Sequence, residues 1–195
     1  IMTTTGGCAA LVADRLGTFG VDVVPPSEKV IANLAQKNNI RISKARLTDL
    51  TLAGAKPEIY GPVLNELLAS DHCDLVLAVA GSSAQFQPQV SITPLIQAPR
   101  HGKTLAAFLA PHAEVSLKLL AEGGVAGFRT PEACADAIRA WRDWSEPSPI
   151  PAADTVRLNA VSHLLKSIPG KQINEYDACQ VFAALGIAQA QSEII

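Results

Sequence analysis

The fold of this chain is decided by its first stretch, residues 1–14, with the sequence IMTTTGGCAALVAD. A few strand-forming residues run into the pair Gly6-Gly7, and an apolar helix is predicted to begin immediately after it. Glycine lets the backbone turn sharply and leaves room for a close approach. The start of a helix carries unpaired N–H groups and about half a positive elementary charge, so it attracts phosphate or carboxylate. Taken alone, the glycine pair favours a plain strand-to-helix turn over an anion-binding loop. The rest of the chain is needed to distinguish the two interpretations.

The composition is that of a globular protein with few charges. Of the 195 residues, 48% are hydrophobic and 17% are charged, against about 25% charged residues in an average domain. Such a surface suggests that part of it is covered by something else. The net charge of −2 is not the excess of positive charge that binding to nucleic acid requires. No apolar run reaches the roughly 18 residues that span a membrane. Neither partner is therefore expected.

The four cysteines are widely spaced and contain no C-x-x-C pair; they are Cys8, Cys73, Cys134 and Cys179. Zinc and a disulfide framework are therefore not expected, and a reducing cytoplasm is the expected location. The chain opens and closes on strand-like residues, 1–3 and 192–195. We therefore expect a fragment of a longer polypeptide.

Strands and helices alternate over the first 145 residues. Besides the first stretch, strands are predicted at residues 21–24, 75–80, 103–109 and 125–128. Helices are predicted at residues 8–19, after the N-cap Ser27, after Pro57, at 90–98, at 111–121, and after the N-cap Thr130. This alternation predicts a flavodoxin-like parallel sheet of order 2-1-3-4-5 with helices on both faces. In that order, the loop after the first strand lies where ligands bind.

The last quarter of the chain is predicted to be a separate helical extension. Residues 1–145 form the sheet domain, and the proline-rich residues 146–155 form a stiff linker. Two helices are predicted beyond it, at residues 156–167 and 175–185. They carry too little apolar surface for a core of their own, so residues 156–195 are expected to be the truncated beginning of a further module.

Several segments resemble the NDP-forming acyl-CoA synthetases, which are relatives of succinyl-CoA synthetase. Their flavodoxin-like domain, next to an ATP-grasp module, opens with a pattern close to T-N-A-G-G-P-G-x-L-x-x-D. This chain matches the pattern at Thr3, both glycines, Leu11 and Asp14. The family's N-P-x-D-L loop is half present at residues 46–50, and residues 119–140 are similar to its closing strand and helix. Residues 173–178 and 185–187 are similar to the start of the ATP-grasp module.

The resemblance implies a fragment of an acid–thiol ligase, in which acid, CoA and NTP become acyl-CoA, NDP and phosphate through a phosphohistidine on another domain. This domain would present a helix N-terminus to the phosphoryl group, with phosphate bound by Thr5, Gly6, Gly7 and Cys8. Asp49 would organise the adjacent loop, although loop capping explains it equally well. No catalytic residue and no metal site is expected in the fragment, which would be inactive alone.

The same resemblance assigns the cofactors and partners to the rest of the enzyme. The fragment itself would bind no cofactor, whereas the full-length enzyme would use ATP or another NTP, Mg²⁺ and CoA. Its expected partners are upstream CoA-binding and phosphohistidine domains, a downstream ATP-grasp module and small-molecule substrates. A homo-oligomer is left open.

Some residues depart from the family's pattern. Thr4 and Thr5 replace Asn and Ala, Cys8 replaces Pro, and Arg46-Leu47 replaces an Asn-Pro pair. The altered loop leaves open a catalytically silent structural or regulatory domain. At a helix N-terminus, Cys8 would have a lowered pKa and could act as a nucleophile, but no His is near it in sequence, which favours simple packing.

Two other classes fit less well. An FMN-binding flavodoxin needs aromatic rings around the flavin, and residues 81–83 and the loop near Arg46 supply none. A receiver-like signalling module needs acids after the first strand and an Asp after the third, and both are missing. The histidines lack metal-ligand spacing and are not expected to be catalytic; they are His72, His101, His112 and His163.

Overall fold

The computed structural model describes residues 1–150, 152, 154–170 and 172–190. The strand predicted at residues 192–195 and two residues of the predicted linker, Pro151 and Ala153, lie outside this range. The chain divides into two compact units, Ile1–Trp144 and Ser145–Ile195. The first unit contains the sheet.

Five parallel strands form one sheet in the order β2-β1-β3-β4-β5, as predicted. They are β1 (Met2–Thr3), β2 (Thr48–Asp49), β3 (Leu75–Ala80), β4 (Thr104–Leu109) and β5 (Ala126–Phe128). The central strands β3 and β4 pair along their whole length and are almost entirely buried. Their continuous apolar sequences are typical of parallel strands that are covered on both faces.

The prediction for the second strand was wrong. In the described chain, residues 21–24 belong to no strand, and β2 lies within residues 46–50, which were expected to form a loop. The β1–β2 ladder pairs Met2 with Thr48 and Thr3 with Asp49. A strand of two residues is too short to show a period of alternation, and strand formation depends on tertiary partners more than on intrinsic propensity.

The helices agree closely with the sequence pattern. Along the described residues they are α1 (Gly6–Thr18), α2 (Glu28–Asn38), α3 (Pro57–Leu68), α4 (Ser83–Phe86), α5 (Pro88–Gln97), α6 (Glu114–Glu122), α7 (Pro131–Arg142), α8 (Thr155–Ser167) and α9 (Glu175–Ala184). Both predicted N-caps are confirmed, since the Ser27 and Thr130 hydroxyls accept hydrogen bonds from the N–H groups of Val30 and Ala133. Two short helices of the described chain were not predicted, α4 and a 3-10 helix at Leu52–Ala55.

The core of the first unit consists of two apolar clusters, one on each face of the sheet. Side chains of α2, α3, α5 and α6 form the first cluster, and side chains of α1 and α7 form the second. Because side chains alternate along a strand, Val76 and Ala78 belong to the first cluster, whereas Leu77 and Val79 belong to the second. Helices on both faces are therefore confirmed.

The second unit is described by helices α8 and α9. The side chains of Asp154 and Asn174 cap their N-termini, and the Arg157 guanidinium donates a hydrogen bond to the carbonyl of Leu185. No described residue of either helix is buried. Apolar side chains such as Val156 and Phe182 are exposed. Across the described helices of both units, none has the length and apolarity needed to cross a membrane.

Two phenylalanines provide a matched test of this core. Phe108 in β4 is 2% exposed and Phe86 is 76% exposed. We expect Phe108→Ala to lower the free energy of unfolding by about 3–5 kcal/mol because it removes a buried ring. Phe86→Ala should change it by about 0.5 kcal/mol or less. Urea unfolding followed by the fluorescence of Trp141 and Trp144 measures both values, and equal effects would contradict the assigned core.

Candidate functional site

The carboxyl ends of β1, β2 and β3 meet at one edge of the sheet, where α1 begins. Thr3, the last residue of β1, is fully buried. Its hydroxyl donates a hydrogen bond to the Val79 carbonyl at 3.2 Å and accepts one from the Thr5 N–H at 2.9 Å. The Thr4 N–H also donates to the Val79 carbonyl, at 3.4 Å, so a side chain and the backbone together hold the loop after β1 to the end of β3.

The N-terminus of α1 presents unpaired backbone donors. The Thr5 carbonyl accepts the first intrahelical hydrogen bond from the Ala9 N–H at 3.2 Å. The N–H groups of Gly6, Gly7 and Cys8 precede that bond and make no hydrogen bond to any described residue. A helix terminus of this kind carries a partial positive charge and is suited to an anion.

The carboxylate of Asp49 lies beside this terminus. A Cβ atom built on Gly6 would be only 2.6 Å from Asp49 Oδ2, so a side chain at this position would have to displace the Asp49 carboxylate. The other carboxylate oxygen, Oδ1, accepts a hydrogen bond from the Thr51 N–H at 2.8 Å. Asp49 thus closes its own turn and also contacts the helix start. Its role in organising the loop for a ligand stays a prediction.

The remaining predicted residues differ in their surroundings. Thr5 faces inward, since a Cβ atom on Gly81 would lie 3.1 Å from the Thr5 Cβ, whereas a Cβ atom on Gly7 would meet nothing within 4 Å. Cys8 is half-buried and packs against the cluster of α1 and α7, in agreement with the packing interpretation. Gly7 is therefore the open side of the site.

The charge balance at the loop is unfavourable for a free anion. The helix terminus supplies about half a positive charge, and no Lys or Arg lies among residues 1–14. Asp49 places a full negative charge next to Gly6. An anion bound here would need further positive charge or exclusion of water, which strengthens each hydrogen bond.

Burial displaces the pKa values of several side chains in the first unit. Burial raises the pKa of the Cys134 thiol to about 12 and also raises the pKa of the Tyr60 hydroxyl. Burial raises the pKa of Cys73, against the opposing effect of Lys103. Displaced pKa values often mark acid–base catalysts, but these groups are explained by packing. The described residues contain no group of three or more His, Cys, Asp or Glu arranged to hold a metal ion.

Exposed apolar side chains near the same edge were missed by the sequence analysis. Leu11 in α1, Phe86 in α4 and Val115 in α6 are 61%, 76% and 60% exposed. Each lies within the first two turns of a helix that follows the carboxyl end of a strand. Their placement next to strand ends was readable from the sequence, but their exposure depends on the packing of the helices.

Comparisons with known proteins relate the fold of this chain to that of solved structures. No protein-family model and no curated protein matches the sequence. Among solved structures, PH0766 from Pyrococcus horikoshii OT3 is 23% identical, with a TM-score of 0.59 over 71% of this chain and 33% of that chain. The apo form of dinucleotide-forming acetyl-coenzyme A synthetase 1 from Ca. Korarchaeum cryptofilum is 19% identical, with a TM-score of 0.60 over 72% of this chain and 32% of that chain.

The same synthetase in complex with phosphate and ADP gives a TM-score of 0.61 at 18% identity, over 87% of this chain and 35% of that chain. This chain has the fold found in these synthetases. The resemblance to NDP-forming acyl-CoA synthetases is therefore confirmed in the fold. The chain spans about a third of the length of each of these three solved structures.

The contact between Gly6 and Asp49 can be tested by comparing Gly6→Ala with Gly7→Ala. We expect Gly6→Ala to lower the free energy of unfolding by about 1 kcal/mol, because the new methyl group displaces Asp49 from its hydrogen bond to Thr51. Gly7→Ala should raise it by about 0.5 kcal/mol, since alanine favours the helix and meets no neighbour. Urea unfolding provides both values.

A double-mutant cycle isolates the cause of the first effect. In an Asp49→Ala background, the cost of Gly6→Ala should disappear because the displaced carboxylate is no longer present. If Gly6→Ala lowered the free energy of unfolding equally in that background, a clash with Asp49 would not be the cause of the effect.

Proposed function

We propose that this chain is part of an NDP-forming acyl-CoA ligase, which converts an acid, CoA and an NTP into acyl-CoA, NDP and phosphate. The observation that carries the proposal is the set of unpaired N–H groups at Gly6, Gly7 and Cys8, at the carboxyl edge of the sheet. It is supported by a fold shared with a synthetase whose structure contains phosphate and ADP.

In the proposed mechanism, this domain stabilises a phosphoryl group and carries out no proton transfer or nucleophilic attack. The group would be carried by a phosphohistidine on another domain and would meet the N–H groups of Gly7 and Cys8. Preorganised backbone donors of this kind stabilise phosphoryl charge without reorganisation.

The rest of the machinery is assigned to other parts of a longer protein. The loop has no basic side chain among residues 1–14, and the described residues form no metal-binding group. These residues therefore do not fit a nucleotide or Mg²⁺ on their own. We assign CoA and the histidine to preceding domains, and the nucleotide and Mg²⁺ to an ATP-grasp module that begins after α8. The proposed compartment is the cytoplasm.

The exposed apolar residues at this edge support the idea of a covering domain. Leu11, Phe86 and Val115 each expose more than half of their surface, in helices that follow the carboxyl ends of strands. Apolar surface beside polar groups is typical of an interaction site. A domain that closed here would exclude water. The hydrogen bonds from the loop's N–H groups to an anion would then be stronger, despite the small positive charge of the helix terminus.

A substitution at the open glycine tests this mechanism. In the longer protein, Gly7→Asp should reduce turnover at least about a hundredfold, because it places a negative charge against the phosphoryl group. Gly7→Asn has the same size without the charge and should retain most of the turnover. The fold should survive both changes, since nothing lies within 4 Å of a Cβ atom at this position.

Two outcomes would contradict the proposal. One is a well-folded Gly7→Asp protein with unchanged turnover. The other is turnover by the 195-residue chain alone, which is expected to be inactive. A catalytically silent domain is the second candidate, and the carboxylate of Asp49 beside the anion-facing terminus favours it. A folded longer protein without any acid-, CoA- and NTP-dependent turnover would establish that candidate instead.

A further inference from the structure

The opposite, amino-terminal edge of the sheet contains an open cavity of about 530 Å³, lined by the start of β4 and the end of α7. This volume lies within the range of about 300–1,000 Å³ that is typical of small-molecule sites. A tight turn leads into β4, and its Lys103 N–H donates a hydrogen bond to the Arg100 carbonyl at 2.8 Å. The two central residues of the turn, His101 and Gly102, have positive φ angles of 51° and 75°. The turn thus brings His101 and Lys103 to the cavity.

Two cations that line the cavity are held in place by backbone carbonyl groups. The Lys103 ammonium group donates a hydrogen bond to the Cys73 carbonyl. The Arg142 guanidinium donates one to the Phe19 carbonyl at 3.0 Å and also pairs with Asp143. Because an ammonium group has three N–H donors and a guanidinium has five, both retain donors for a ligand. Side chains that are already ordered lose less entropy when a ligand binds, so these two cations are suited to an anionic group.

An indole ring and a carboxylate also line the cavity. The Trp141 side chain is 46% exposed, and an indole provides a flat surface on which a planar base can stack. Asp74 supplies a carboxylate, which accepts hydrogen bonds but donates none when it is ionised. A ligand that uses all of these groups needs a planar ring with N–H donors and an anionic group. A guanine mononucleotide has both.

We propose that this cavity binds a guanine mononucleotide. The base stacks on Trp141, and its N1–H and N2–H groups donate to the carboxylate of Asp74. The phosphate accepts hydrogen bonds from Lys103 and Arg142. The site lies at the opposite edge of the sheet from the start of α1, so it is separate from the proposed phosphoryl site and does not depend on it.

The two tryptophans of the chain provide matched reporters. Trp144 is 72% exposed and is not part of the cavity lining. GMP should quench the fluorescence of the Trp144→Phe protein, whose remaining indole is Trp141. It should leave the fluorescence of the Trp141→Phe protein unchanged. Quenching that is absent, equal in the two proteins, or confined to the protein that keeps Trp144 would overturn the proposal.

Displacement of GMP from the Trp144→Phe protein, followed by the fluorescence of Trp141, identifies the parts of the ligand that bind. Guanosine and inorganic phosphate should each bind about tenfold or more weakly than GMP, because one lacks the phosphate and the other lacks the stacked base. AMP should bind about tenfold more weakly than GMP, since adenine places an acceptor against Asp74. Phosphate or AMP binding as tight as that of GMP would overturn the assignment of a guanine mononucleotide.

A pair of lysine variants tests the phosphate contact. Lys103→Gln should weaken GMP binding about tenfold, because it removes the charge but keeps an N–H donor for the Cys73 carbonyl. The control is Lys118→Gln, since Lys118 is an exposed residue of α6 outside the cavity lining, and it should bind GMP like the original chain. Equal affinities of the two variants would overturn the proposal. No turnover is measured, so this failure would leave the ligase proposal intact.

Discussion

The hydroxyl of Thr3 fixes the geometry on which the candidate site depends. It is buried at the end of β1 and holds both the Val79 carbonyl and the Thr5 N–H. The Thr5 carbonyl can then accept the first hydrogen bond of α1, and the Thr5 side chain packs against Gly81. A buried hydroxyl with both a donor and an acceptor partner is strongly preferred over one with an unsatisfied group. Together with the hydrogen bond from the Thr4 N–H to the Val79 carbonyl, this side chain holds the start of α1 at the carboxyl end of β3.

The site is incomplete as this chain presents it. A helix terminus with about half a positive charge lies beside the full charge of Asp49, and apolar side chains such as Leu11 and Phe86 are exposed in helices that follow strand ends. Both features have one explanation if another domain closes over this edge. Closure buries the apolar groups and excludes water from the N–H donors, which makes a weak terminus effective toward a phosphoryl group.

The sequence predicted the features that depend on local pattern. The apolar runs of β3 and β4 and the caps Ser27 and Thr130 agree with the structure. Gly6 and Gly7 were predicted as a turn before the helix, but they are the first two residues of α1. Residues 21–24 were wrongly predicted as a strand because pairing depends on a partner in space. The contact of Asp49 with Gly6 depends on the register of a two-residue ladder, which no periodicity reveals. The exposure of Phe86 depends likewise on helix packing.

An amide titration of the 195-residue chain with inorganic phosphate tests the central claim most directly. Two-dimensional ¹H–¹⁵N spectra should show weak, saturable shifts at Gly7 and Cys8, because their N–H groups form the open side of the α1 terminus. Asp49→Asn should tighten the binding, since it removes a like charge. Phosphate shifts that avoid Gly7 and Cys8, or weaker binding by Asp49→Asn, would contradict the account.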